Sequence, residues 1–182
     1  LKLSDDSSKS KGALNAYYDS LFNILYQGFS DTPYARYTVI TSFIREYAFS
    51  VEKIDDRNFI ISNNLSENFW YAKNRNSVTV TSEKTEIADS LYNIIGELFQ
   101  LQFMEINALD EIGLDDETYY FSTISENNLL MTKEKWSPNE NSFDGLLVSL
   151  CNKIYKLGKG QDISQAELFN EINDLIIKLK SK

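Results

Sequence analysis

Phe49-Ser50-Val51-Glu52-Lys53-Ile54-Asp55-Asp56-Arg57-Asn58-Phe59-Ile60-Ile61 decides the fold class of this chain. Phe49, Val51 and Ile54 read as a strand. Asp55-Asp56-Arg57-Asn58 has turn composition, and Phe59-Ile60-Ile61 resumes an apolar run. A connection this short joins only antiparallel strands, because a parallel pair needs a crossover of a dozen residues or more. Working outward, Asn63-Asn64 is expected to break the run. Phe69-Trp70-Tyr71 opens another strand, Asn74-Arg75-Asn76 turns, and Ser77-Val78-Thr79-Val80-Thr81 alternates with period two. The reading is two consecutive hairpins, a meander of about four strands. Tyr119-Tyr120-Phe121 and Leu129-Leu130-Met131, separated by Glu126-Asn127-Asn128, predict a third hairpin.

Helices flank these hairpins. Leu14, Tyr17, Tyr18, Leu21, Phe22 and Leu25 recur at helical spacing over about 13–27, with Gly28 suited to a left-handed C-terminal cap. Asp31-Thr32-Pro33 has the form of a helix start, and Tyr37, Ile40, Ile44 and Tyr47 align on a helix over about 33–47. The Thr and Val content there makes a strand the alternative. A long helix is expected from Ser82 or Thr85 to about Ile106, with Gly96 marking a close contact, and a loop over 107–117. Asn141 or Ser142 caps a helix that Gly158 closes. Ser164 and Glu167 form a capping box, and Ile163 with Leu168 a hydrophobic staple, at the start of the last helix. Hairpins segregated from helices mean α+β: an antiparallel sheet of about six strands packed with about five helices. Residues 1–11 read as a polar, flexible leader and 12–182 as a single domain, the size that one core commonly serves.

Composition denies the chain several chemistries. With no histidine, Ser-His-Asp and Cys-His nucleophiles, histidine metal sites and histidine acid–base catalysis are ruled out. Cys151, the only cysteine, lies in the apolar rhythm of a helix and reads as a small buried hydrophobe. Gly158-Lys159-Gly160 follows a helix rather than a strand and lacks phosphate-loop spacing. The acidic stretch 110–117 lacks the ligand alternation of a calcium loop. No cofactor, metal site or catalytic residue is therefore assigned. Tyr17-Tyr18, Trp70-Tyr71 and Tyr119-Tyr120 fit either a stacking surface or the core, with the core preferred because each sits in a strand or helix rhythm.

Charge is distributed unevenly. Between Thr85 and Thr132 there is no Lys or Arg, whereas Glu86, Asp89, Glu97, Glu105, Asp110, Glu111, Asp115, Asp116, Glu117 and Glu126 supply ten acids. The remainder holds 17 acids and 18 bases and is nearly neutral, so this one block accounts for the net charge of −9. Such a chain is a poor match for nucleic acid or anionic membrane, which reward clustered bases, and a better one for a basic protein. The bland reading of the block is a solvated face.

The expectation is a non-catalytic acidic protein that binds a basic partner, as an immunity protein, inhibitor or chaperone does. Glu97, Glu105, Asp110, Glu111, Asp115, Asp116 and Glu117 would steer the partner, and Phe103, Tyr119 and Tyr120 would anchor it. Two other readings are an accessory or envelope-anchored subunit tethered by residues 1–11, and a carboxylate-dependent enzyme with converging acids in a deep pocket. No apolar run approaches the ~20 residues of a membrane helix. One cysteine fits the reducing cytoplasm. Export or lipid anchoring after removal of a signal is the alternative, and homo-oligomerisation is left open.

Overall fold

Six strands form one antiparallel sheet in the order β4-β3-β2-β1-β5-β6. The computed structural model describes residues 6–104 and 117–181, with side chains from residue 14 onward. The elements are α1 (Asp6–Leu25), β1 (Ala35–Thr41), β2 (Tyr47–Ile54), β3 (Arg57–Leu65), β4 (Val80–Ile87), α2 (Asp89–Met104), β5 (Glu117–Ile124), β6 (Leu130–Trp136), α3 (Phe143–Gly158) and α4 (Gln165–Lys180). Helix α1 begins within the stretch expected as leader, while residues 1–5 lie outside the described residues.

The opening hairpin is as expected. Asp55 and Asp56 both take positive φ, 49° and 61°, the mirror-image turn whose twist matches a two-residue hairpin. Gly28 is also left-handed, at φ 82°. Ser142 caps α3 by accepting the Gly145 N–H, and Ser164 caps α4 by accepting the Glu167 N–H. Helix α3 runs through Gly158, and the left-handed residue after it is Gly160.

Three expectations are corrected. The helix over 33–47 is instead β1, a loop and the start of β2. Strand β1 is central, and all but one of its residues are buried. Its period-two signal is therefore erased, and an accidental i, i+3/i+4 spacing stands in its place. This leaves four helices rather than five. Secondly, Asn63-Asn64 does not end β3. Asn63 is fully buried, and its side-chain amide donates to the carbonyls of Leu25 and Gln27 at 2.8 and 2.9 Å, satisfying the end of α1. Thirdly, Phe69-Trp70-Tyr71 is a turn rather than a strand, and residues 82–87 belong to β4 rather than to the long helix. Strand β4 is an edge strand, and beyond Thr81 its polar residues gave no apolar alternation to read.

Alternation along the strands builds three layers. Tyr37, Val39, Phe49, Val51, Ile60 and Phe121 point to one face and form the main core with α2, α3 and α4. Ala48 and Leu65 point to the other and pack with Leu21 and Leu25 of α1, together with Phe69 and Val78. Helix α2 carries the chain from edge strand β4 across β3, β2 and β1 to β5. Gly96 lets it approach: a Cβ there would lie 2.0 Å from the Tyr34 hydroxyl, and Tyr34 stacks on Tyr92 at 4.2 Å. No described helix is long and apolar enough to cross a membrane.

Candidate functional site

One end of the sheet gathers Thr41, Tyr47, Leu65, Val80, Glu117 and Trp136, as the strand registers require. Two loops close this end. Residues 42–46 join β1 to β2, and residues 66–79 join β3 to β4. They are stitched together by Asn68. Its amide donates to the carbonyls of Thr41 and Ile44 at 3.3 and 2.6 Å, and its oxygen accepts the backbone N–H groups of Trp70 and Tyr71 at 3.0 and 3.2 Å.

Glu46 anchors the same loops from below. It is fully buried, and its two carboxylate oxygens accept the Phe69 N–H at 3.2 and 3.0 Å. Among the described residues no Lys or Arg forms an ion pair with it. Burial raises its pKa, and the backbone hydrogen bonds to Phe69 and to its own N–H only partly oppose this. Enclosed in this way, Glu46 is a structural carboxylate and not one that meets a substrate. Arg75 completes the scaffold. Its guanidinium donates to the carbonyls of Phe69 and Trp70 and lies over the rings of Tyr17, Phe69 and Trp70 at 4.9, 5.6 and 5.9 Å.

Large apolar groups stand out in water around these ties. Phe43 is 79% exposed, Ile44 55%, Trp70 55%, Tyr71 62% and Trp136 44%. Tyr17 packs edge-on against Trp70 at 5.2 Å and against Tyr18 at 5.2 Å. Together Tyr17, Tyr18, Trp70, Tyr71 and Trp136 line a cleft of about 280 Å³, floored by Ile40, Thr41, Ser42 and Thr118. Exposed apolar surface of this kind marks interaction sites, and Trp and Tyr dominate the energetics of interfaces. Compared with protein-family models, curated proteins and solved structures, the chain finds no match.

The residues expected to bind a partner are only partly assembled here. Glu117 opens β5 at this end of the sheet and accepts a hydrogen bond from the Tyr119 hydroxyl. Tyr119 faces the main core and stacks on Tyr37 at 6.0 Å. Tyr120 faces α1 and packs on Phe22 at 5.7 Å. Phe103 is half-buried near the end of α2. Glu97 lies apart on α2, where it accepts a hydrogen bond from Lys180 of α4 at 2.7 Å. Glu105, Asp110, Glu111, Asp115 and Asp116 lie outside the described residues. Other acids of the block also have partners: Arg57 donates to Glu86 at 3.3 Å, and Asn58 donates to Asp89 at 2.6 Å. The block thus lacks bases of its own but borrows some from elsewhere in the chain.

Trp70, Tyr71 and Trp136 were the residues that the sequence undervalued. Trp70-Tyr71 reads as a strand pair bound for the core. Its flanking Asn68, Asn74 and Asn76 were the available signal that it sits on a turn.

Proposed function

We propose that this protein binds a basic protein partner through the loop-capped aromatic end of its sheet, in a role such as inhibition, immunity or escort of that partner. The observation that carries the reading is the cluster of Phe43, Ile44, Trp70, Tyr71 and Trp136. Four of these come from two loops, which Asn68, Glu46 and Arg75 tie together, and Trp136 ends β6. A monomer gains nothing from exposing that surface, and a rigid, pre-ordered anchor lowers the entropy lost on association. Charge supplies the sign of the partner. The acidic run Asp110-Glu111 and Asp115-Asp116-Glu117 leads directly into β5, whose second residue, Thr118, lines the cleft. Single-sign charge on a binding protein steers an opposite charge and speeds encounter by ~10–10³-fold.

The test compares capture from a source-cell extract by the wild type with capture by two variants. One carries Trp70→Ala and Tyr71→Ala; the other carries Glu105→Lys, Asp110→Lys, Asp115→Lys and Asp116→Lys. The reading expects a basic protein retained by the wild type, lost from the aromatic variant, and lost from the charge-reversed variant most severely at low salt. A bound protein that is acidic, or one retained equally by all three, contradicts it.

A further inference from the structure

We infer that the cleft between Tyr17, Tyr18, Trp70, Tyr71 and Trp136 receives a cationic side chain, lysine or arginine, from the basic partner. This rests on the preceding reading and adds which group of the partner is recognised. The size fits: about 280 Å³ is just below the range of cofactor and drug-sized pockets, and suits one side chain. So does the chemistry. Five of the nine lining residues are aromatic, and none carries a charge. The negative faces of Trp and Tyr rings attract a cation most strongly where water is displaced.

Two further observations point the same way. Rings of this cleft already accept a cation, since Arg75 lies 4.9 Å from the Tyr17 centroid and 5.9 Å from that of Trp70. Arg75 is not among the lining residues. It is held by the carbonyls of Phe69 and Trp70, and its charge partly offsets the next feature. That feature is Glu46, whose buried carboxylate sits behind Phe69 with no ion pair to a described base, close enough for its charge to be felt at the Tyr17 hydroxyl. A buried negative charge behind an uncharged aromatic wall favours a positive guest over an apolar one of equal shape.

The chain has two tryptophans, and both line the cleft, so intrinsic fluorescence reports on it directly. The probes are tetramethylammonium and N-acetylarginine amide, each titrated at constant ionic strength against a neutral counterpart, neopentyl alcohol and N-acetylnorleucine amide. The expected result is a saturable change for the cations, with affinity about 3- to 30-fold above the neutral probes. Tyr71→Leu, at an exposed position that keeps both reporters, should erase most of that preference. Trp70→Leu should do so with Trp136 reporting. Equal response to charged and neutral probes, or a cation preference that survives both substitutions, overturns the inference. If cations are ignored while the charge-reversed variant still loses its basic partner, the partner reading stands and the cleft is only an apolar anchor. If cations bind but no basic partner responds to charge reversal, the reverse holds.

Discussion

Replacing Asn68 by Ala tests whether the aromatic rim is built or incidental. The side chain makes four hydrogen bonds, two given to Thr41 and Ile44 and two accepted from Trp70 and Tyr71. A buried hydrogen bond is worth about 0.5–1.5 kcal/mol net. Only the bond to Thr41 is substantially shielded; water replaces much of the other three. The loss is therefore about 1–2 kcal/mol rather than the four-bond sum, and in a chain of this size it lowers Tm by roughly 2–8 °C. The more telling effect is local. With the two loops untied, Trp70 and Tyr71 lose their fixed orientation, and tryptophan emission should shift and become more quenchable by iodide before global unfolding. Asn68→Asp separates the two functions of the side chain. It keeps the acceptor for Trp70 and Tyr71 but sets a carboxylate against two carbonyls, so at neutral pH it should be at least as destabilising as Asn68→Ala. An Asn68→Ala protein with unchanged Tm and unchanged emission would refute the reasoning.

Three other outcomes follow from the packing. Gly96→Ala gains about 1 kcal/mol of helix propensity but drives a methyl into the Tyr34 ring, an overpacking cost of about 1–3 kcal/mol. Denaturant titration should show net destabilisation, and near-UV circular dichroism should report loss of the Tyr34–Tyr92 stack. Glu46 has its pKa raised by burial above its ordinary 4.5. Between the two values the folded state holds a proton that the unfolded state has lost, so stability falls as pH rises through that window. Against Glu46→Gln, which does not titrate, the wild type should lose ground in thermal melts as pH rises above about 4.5; a constant difference would contradict this. Cys151 is fully buried, and desolvation lifts its thiol well above the ordinary 9.0. It should resist a thiol reagent until the protein is unfolded by denaturant.

The parts of the fold legible in the sequence are those fixed by local chemistry. The Asp55-Asp56 turn, the Ser142 and Ser164 caps and the amphipathic faces of α3 and α4 need only neighbours a few residues away. The parts that were misread depend on distant ones. Strand β1 is covered on both faces, so Tyr37 and Ile40 carry no period that local pattern can decode. Asn63 looks like a strand breaker because the sequence does not show that α1 ends above it and needs its amide. Strand β4 is polar because it is an edge. The site is illegible for the same reason. Tyr17, Trp70 and Trp136 are separated by 53 and 66 residues, and only the tertiary packing of α1 on a sheet ordered β4-β3-β2-β1-β5-β6 brings them to one end. The acidic block, by contrast, is a property of sequence alone, and it carries the proposal of a basic partner without giving the place.

Hydroxyl-radical footprinting of the free protein and of its complex with the captured basic partner addresses the account most directly. The account predicts protection of Phe43, Trp70, Tyr71 and Trp136 on binding, while Leu129, Leu130 and Ile177, which are exposed elsewhere on the surface, stay reactive. Protection confined to the α3–α4 surface or to the β5–β6 turn, with the four aromatic residues as reactive as before, would contradict it.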